Sequence, residues 1–281
     1  MKYEVIPVSN ERFRLAESPF YDPLTGITSF VDILEGKLHL WHRDGTKTSL
    51  SFGEEIGAAV PAKDGGFIVA GTSALFKTDG VSFTGILPLT DIFKGERRCN
   101  DAKADPSGRL FFGSCAKGEN KPSESLYSYD GKTLAVRDGK TLLSNGMAWS
   151  RNKEHFFFSD SLAHALFVYD HDPVTGELSG KRVLTDLGSA IPDGLTIDIN
   201  DNIFLAIWGG AKILKIDHET GEISDRIEVP AKNVTSCCFC NDELDTLLIT
   251  SSGEDLDGPF DGMIFTCKTD TRGLPPDRFG V

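Results

Sequence analysis

The sequence predicts an all-β fold, a six-bladed β-propeller with four-stranded antiparallel blades forming a single domain over residues 1–281. Three observations lead there. One pattern recurs six times, each copy holds strand-like runs separated by polar turns, and an N-terminal run has strand character without a repeat of its own.

The repeats begin "ESPFYDPLTG", "AAVPAKDGG", "NDAKADPSG", "NGMAWSRNKE", "DGLTIDINDN" and "SCCFCNDELD", with Glu17, Ala58, Asn100, Asn145, Asp193 and Ser236 as first residues. Five positions later each reaches a turn, at Asp22, Lys63, Asp105, Ser150, Asp198 and Asn241. Short polar side chains and glycine favour chain reversal there. An apolar second strand follows every turn: "GITSFVDI", "GGFIVAGT", "GRLFFGSC", "HFFFSD", "NIFLAIW" and "TLLITSS". Third strands run from "GKLHLWHRDG" in the first unit to "GMIFTCKTD" in the last, and more polar fourth strands read "VSFTGIL", "KRVLTDL" and "DRIEVP". Four strands recurring every roughly 40 to 48 residues are the mark of propeller blades. The sixth unit lacks a fourth strand, so "YEVIPVS" near the N-terminus is expected to pair with the last blade. That closure removes the free edges an open array would leave.

A formal net charge of -13 argues against nucleic acid or an anionic membrane as a partner, and for a cation or a neutral small molecule. The longest apolar run, Ile203 to Trp208, is too short to cross a bilayer. The N-terminus shows no signal-peptide pattern, and a cytoplasmic location is expected. Six cysteines (Cys99, Cys115, Cys237, Cys238, Cys240, Cys267) lack paired CxxC spacing and read as buried free thiols. His39 and His42, three apart on one strand, should face opposite sides and make a poor metal pair. The acidic run "GEDLDGPFDG", with Glu254, Asp255, Asp257 and Asp261, lacks EF-hand spacing and reads as a solvated loop.

In a propeller the innermost strand of each blade runs along the central channel, so the first column of the repeat should form a ring. It would bring the carboxylates of Glu17 and Asp193 to the carboxamides of Asn100 and Asn145, with Ser236 and Ala58 completing the circle. Oxygen-only donors of this kind suit a hard divalent cation such as calcium, magnesium or manganese, with zinc a less diagnostic choice. Asp101, beside Asn100, adds a carboxylate able to orient ligands from behind.

The strings "AESPFY", "RCNDAKADPSGRLFFGS", "LLSNGMAWS", "IPDG" and "TSCCF", in this order, resemble the regucalcin and gluconolactonase family of sugar lactonases over nearly the whole chain. The resemblance implies one divalent metal in the channel, held by Glu17, Asn145 and Asp193, with Asp193 also the general base. On the substrate side it implies Arg98 and Asn100, and Glu119 if a one-residue shift is allowed; Asp101, by its place beside Asn100, is expected to join them. The chain departs from the family at Ser18, where glycine is frequent, and at Cys115 to Glu119, where Met-Ala-Glu-Glu is frequent. The expected reaction opens a sugar lactone such as gluconolactone to its aldonic acid, the metal polarising the carbonyl and Asp193 taking a proton from water. Two alternatives share the metal site: a promiscuous esterase or organophosphate hydrolase, and a calcium-binding regulatory protein without catalysis. No Gly-x-Ser-x-Gly nucleophile elbow competes.

Overall fold

The computed structural model describes residues 2–117 and 124–280. Its six inner strands are Ala16–Asp22, Ile56–Pro61, Arg97–Ala104, Ser144–Trp149, Ile191–Ile197 and Asn233–Cys240. Each packs against the next and the last against the first, so they circle a central channel. Covered on both faces, they are buried almost throughout, which is why they read as runs of apolar and small residues rather than as an alternation. Every inner strand begins a four-stranded antiparallel sheet. Outermost strands such as Lys47–Ser51 and Phe83–Pro88 face solvent and are mostly polar or exposed.

Five sheets take their strands in chain order; the sixth adds Val5–Pro7 outside Phe265–Lys268, pairing Val5 with Cys267 and Pro7 with Phe265. This is the closure the sequence predicts. Lys2 and the Tyr3 hydroxyl also reach Asp225, in the outer strand Ile223–Glu228 of the fifth blade. Behind the seam, Phe13, Phe30, Trp41, Phe204, Phe239 and Phe265 belong to one core shared by the first, fifth and sixth blades. All six cysteines are free and buried, as expected, and burial raises the Cys237 and Cys240 thiols to about 12, which leaves them protonated.

A second closing device lies at the other end of the channel. Residues 272–280 cross the face formed by the turns that follow the inner strands. Ile199 N donates to Arg272 O (2.8 Å), Gly273 N to Leu244 O (2.7 Å), Lys63 N to Phe279 O (2.8 Å) and Gly280 N to Gly108 O (2.9 Å). Arg278 pairs with Asp22. One segment thereby ties five blades together.

All six inner strands share an irregularity that the sequence pattern does not show. Pairing with the second strand slips between Glu17 and Phe20, Ile56 and Ala58, Cys99 and Ala102, Ser144 and Met147, Pro192 and Leu195, and Val234 and Ser236. A β-bulge bends a strand and re-aims the side chains at the bend. Here the bulges recur at the level of the ring. In the first blade the bend places Ser18 at φ 49°, a left-handed conformation that disfavours residues bearing a Cβ. The bend turns the Ser18 amide onto Glu17 Oε2 (2.9 Å) and leaves its own buried hydroxyl without a partner among the described residues.

Removal of residues 1–10 should lower the melting temperature by on the order of 10 °C, since it strips the closing strand from the sixth sheet; an unchanged melting curve would show that closure is not structural. Ser18→Gly should raise the urea midpoint, with a gain of about 0.5 to 1 kcal/mol after the relief of left-handed strain is offset by the greater freedom of glycine in the unfolded chain.

Candidate active site

Glu17, Asn145 and Asp193 project from the bulged ends of their inner strands into a mouth of about 300 Å³, and Asn100 and Arg98 join them there. The four ring residues are each between 5% and 7% exposed. Ala58 and Ser236, in the same column, do not line the mouth. Ser236 instead abuts the neighbouring blade: a Cβ on Gly194 would stand 2.0 Å from its Oγ. Likewise a Cβ on Gly146 would stand 2.6 Å from the Asp193 carbonyl oxygen. Glycine after Asn145 and after Asp193 therefore lets adjacent inner strands come close enough for their ring side chains to converge.

Hydrogen bonds hold the carboxamides. Asn100 Nδ2 donates to Ser144 O (2.9 Å) in the next blade, and its Oδ1 accepts from Arg98 Nη1 (2.7 Å), which also donates to Cys99 O (2.9 Å). Asn145 Nδ2 donates to Ser161 Oγ (3.1 Å), and that hydroxyl donates to Pro192 O (2.6 Å). Asn145 Oδ1 is buried with no partner among the described residues. The backbone beneath Asp193 is fixed by Ser159 Oγ, which donates to its carbonyl (2.6 Å).

Electrostatics sharpen the picture. Burial, the charge of Asp193 and that of Asp101 raise the Glu17 carboxyl well above its usual range. Asp193 is raised to about 8, chiefly by burial and by the Asp101 carboxylate, against opposing hydrogen bonds from Glu17, Asn145 and the Gly194 amide. Asp101 is itself raised by burial, opposed by Lys103 and by the Ala102 amide, which donates to it at 2.7 Å. It does not line the mouth and acts there only through its charge. Glu119 lies outside the described residues.

No cluster of three or more His, Cys, Asp or Glu side chains with metal-binding geometry exists among the described residues. Two carboxylates meet the carboxamide of Asn145 instead. Two observations make this donor set fit a hard divalent cation: buried carboxyls whose ionisation neighbouring negative charge opposes, that of Asp193 and Asp101 at Glu17 and that of Asp101 at Asp193, and an oxygen of Asn145 with no donor facing it among the described residues.

Apart from Arg98 and Glu254, the rest of the mouth was not singled out in the sequence, although two columns of the repeat supply it. Two positions before each ring residue stand Leu15, Arg98, Leu143 and Ile191. At the end of the second strand, which antiparallel pairing returns to ring height, stand Ile33, Ser161, Leu162, Trp208 and Glu254. Of the acidic run expected to be solvated, Asp255 and Asp257 are exposed and Glu254 reaches the mouth. Asp261 departs from that expectation: it is buried and accepts from the Lys232 (2.9 Å) and Gly258 (3.0 Å) amides. His39 stacks on Phe30 at 4.9 Å and lies away from the mouth; buried His171, whose Nδ1 lies 2.7 Å from Lys153 O, also lies away from it. A smaller cavity of about 90 Å³ at the opposite end, bordered by Tyr21, Lys103, Trp149 and Asp277, shares no residue with the ring.

Comparison with known proteins finds relatives that match over nearly the whole chain. Regucalcin of Danio rerio is 32% identical over 286 residues, covering 96% of both chains. A Bacillus subtilis protein, YvrE, whose name proposes a sugar lactone lactonase, is 29% identical, over 96% of this chain and 97% of its own. The crystal structure of a calcium-binding protein, regucalcin, from Agrobacterium tumefaciens superposes with a TM-score of 0.93 at 25% identity, over 99% of this chain and 98% of that one. The family described as the SMP-30/gluconolactonase/LRE-like region matches residues 15–253, the span that carries every described ring residue, and the chain belongs to that family.

Proposed function

We propose that the protein is a metal-dependent lactone hydrolase, sugar lactones being the class its relatives suggest. The observation that carries this reading is the convergence of Glu17, Asp193 and the unpartnered Oδ1 of Asn145 at the floor of a solvent-reachable mouth. Held by those three residues, a divalent cation (calcium, magnesium, manganese or zinc) would supply Lewis-acid polarisation of the ester carbonyl and acidify water.

The chain's own residues account for the remaining steps. Arg98 and Asn100, linked to each other at 2.7 Å, present a fixed donor pair for the oxygens of the ester. Asp193, ionised in the presence of a cation, accepts a proton from the attacking water as the new C–O bond forms. It returns that proton to the ring oxygen as the ester C–O bond breaks, so the acid and alcohol ends of one product leave together. Apolar side chains around the floor limit the water that competes for these hydrogen bonds.

Two measurements test the reading. Metal-stripped protein should open aldonolactones only after calcium, magnesium, manganese or zinc is restored, and Asp193→Ala should lower that turnover by about 100- to 10,000-fold with an unaltered circular dichroism spectrum; full activity in the variant sinks the assignment.

The second is pH-dependent stability. Asp193 has an ordinary value of 3.8 and is held at about 8 in the fold, so the folded state binds a proton that the unfolded state has already released. This contribution is unperturbed below 3.8 and costs progressively more stability as pH rises toward about 8. Without metal, the melting temperature of the wild type should therefore fall relative to that of Asp193→Asn over this window. Saturating cation should remove the difference. Parallel melting curves with and without cation would contradict it.

A further inference from the structure

The mouth has a polar floor and a wall that is apolar over much of its extent. Above Glu17, Asn145 and Asp193 the wall is made by Leu15, Ile33, Leu143, Leu162, Ile191 and Trp208. Polar neighbours in that wall are Arg98, Ser161 and Glu254, and much of their capacity is used. The Ser161 hydroxyl donates to Pro192 O and accepts from Asn145, while Asn100 is engaged at both ends by Ser144 O and Arg98. A polyhydroxylated ring would thus find many of its hydroxyls facing methyl groups and an indole face, with the other nitrogens of Arg98, the second amide hydrogen of Asn100, the Trp208 Nε1–H and the Glu254 carboxylate as partners along the mouth. A hydroxyl taken from water without a partner weakens binding, whereas each methylene laid on such a wall strengthens it by about three- to fourfold.

The two columns that build the wall explain how it arises. The position two before the ring residue reads Leu15, Ile56, Arg98, Leu143, Ile191 and Val234 around the six blades, aliphatic at every blade but the third. Of that column Leu15, Leu143 and Ile191 line the mouth together with Arg98, whose guanidinium is tethered to the floor through Asn100.

We infer that the preferred substrate presents a single polar cyclic ester to the floor and an apolar arm, alkyl or aryl, to the wall of Leu162, Ile191 and Trp208, so that the protein favours substituted hydrophobic lactones over polyhydroxylated ones. This rests on the hydrolase reading and narrows it. Polar discrimination is confined to the Arg98 side, and affinity grows with the hydrocarbon carried on the other.

The test pairs turnover with binding. Metal-loaded protein is assayed on a series of δ-lactones carrying methyl to pentyl arms, with gluconolactone alongside, and calorimetry measures binding of the matching non-hydrolysable δ-lactams. The expected result is a rise in kcat/KM of at least about tenfold from methyl to pentyl, a parallel gain in lactam affinity, and gluconolactone below the whole series. Trp208→Ala and, should that variant fold poorly, Leu162→Asn should flatten the dependence on arm length. Faster opening of gluconolactone than of any alkyl lactone, or an affinity independent of arm length, overturns the inference while leaving lactone hydrolysis standing. Lactams that bind more tightly with longer arms, with no lactone opened under any metal, would support the apolar wall and remove the hydrolase reading instead.

Discussion

Glu17 and Asp193 are held side by side in a desolvated channel, with Asp101 buried near enough to act on both. Like charges so placed cannot all ionise without a compensating cation, because burial removes the water that would otherwise separate them. The arrangement persists only because the surrounding strands leave these residues nowhere else to go. Six blades packed through apolar seams fix the position of each carboxylate, and the energy of that packing sustains a local electrostatic conflict that a bound cation would resolve. The unpartnered oxygen of Asn145 belongs to the same unfinished arrangement.

Placement depends on the bulges more than on the strands. In a regular strand, successive side chains alternate between faces and a residue at the channel would be fixed by parity alone. The slip in pairing at each inner strand breaks that parity at ring height and lets Asn100, Asn145 and Asp193 aim inward from within the irregular stretch itself. Close approach of neighbouring strands is the second requirement, met where Gly146 and Gly194 leave room for the next blade. Ser18 shows what the geometry costs where the chain carries a side chain in a left-handed bend: an uncomfortable backbone and an idle buried hydroxyl, in return for an amide directed at the Glu17 carboxylate.

Blade number, the inner-strand register and the partner of the N-terminal strand were legible in the sequence because they follow from a repeat of hydrophobicity, which evolution of a packed ring must keep. Glu17, Asn100, Asn145 and Asp193 were legible for the same reason, as one column of that repeat. The bulges were not, since one unpaired residue leaves the apolar pattern almost unchanged. Nor was the wall of the mouth: Leu162, Trp208 and Glu254 follow the second strands, where residue types differ from blade to blade and only antiparallel pairing brings them back to ring height. Asp261 read as one more acidic surface residue, yet it caps two amides in a buried turn, a role that depends on the path of the chain rather than on composition. The segment from Arg272 to Gly280 has no periodicity at all, because it contributes backbone hydrogen bonds to four blades and an ion pair to a fifth instead of a strand to one.

The closure of the sixth sheet by Val5–Pro7 also bears on how the protein is made. During synthesis this strand leaves the ribosome long before its partner around Phe265. For most of translation the early blades must stand as an open arc with one bare edge and an apolar flank, the condition in which nascent β proteins pair with the wrong neighbour. Lys2 and Glu4 beside the short Val5–Pro7 strand, and the proline within it, make that still unpaired strand a poor template for wrong pairing. Docking of the Phe265–Lys268 strand onto Val5–Pro7 then converts the arc to a ring in a single event, so that the ring and the site at its centre are completed together.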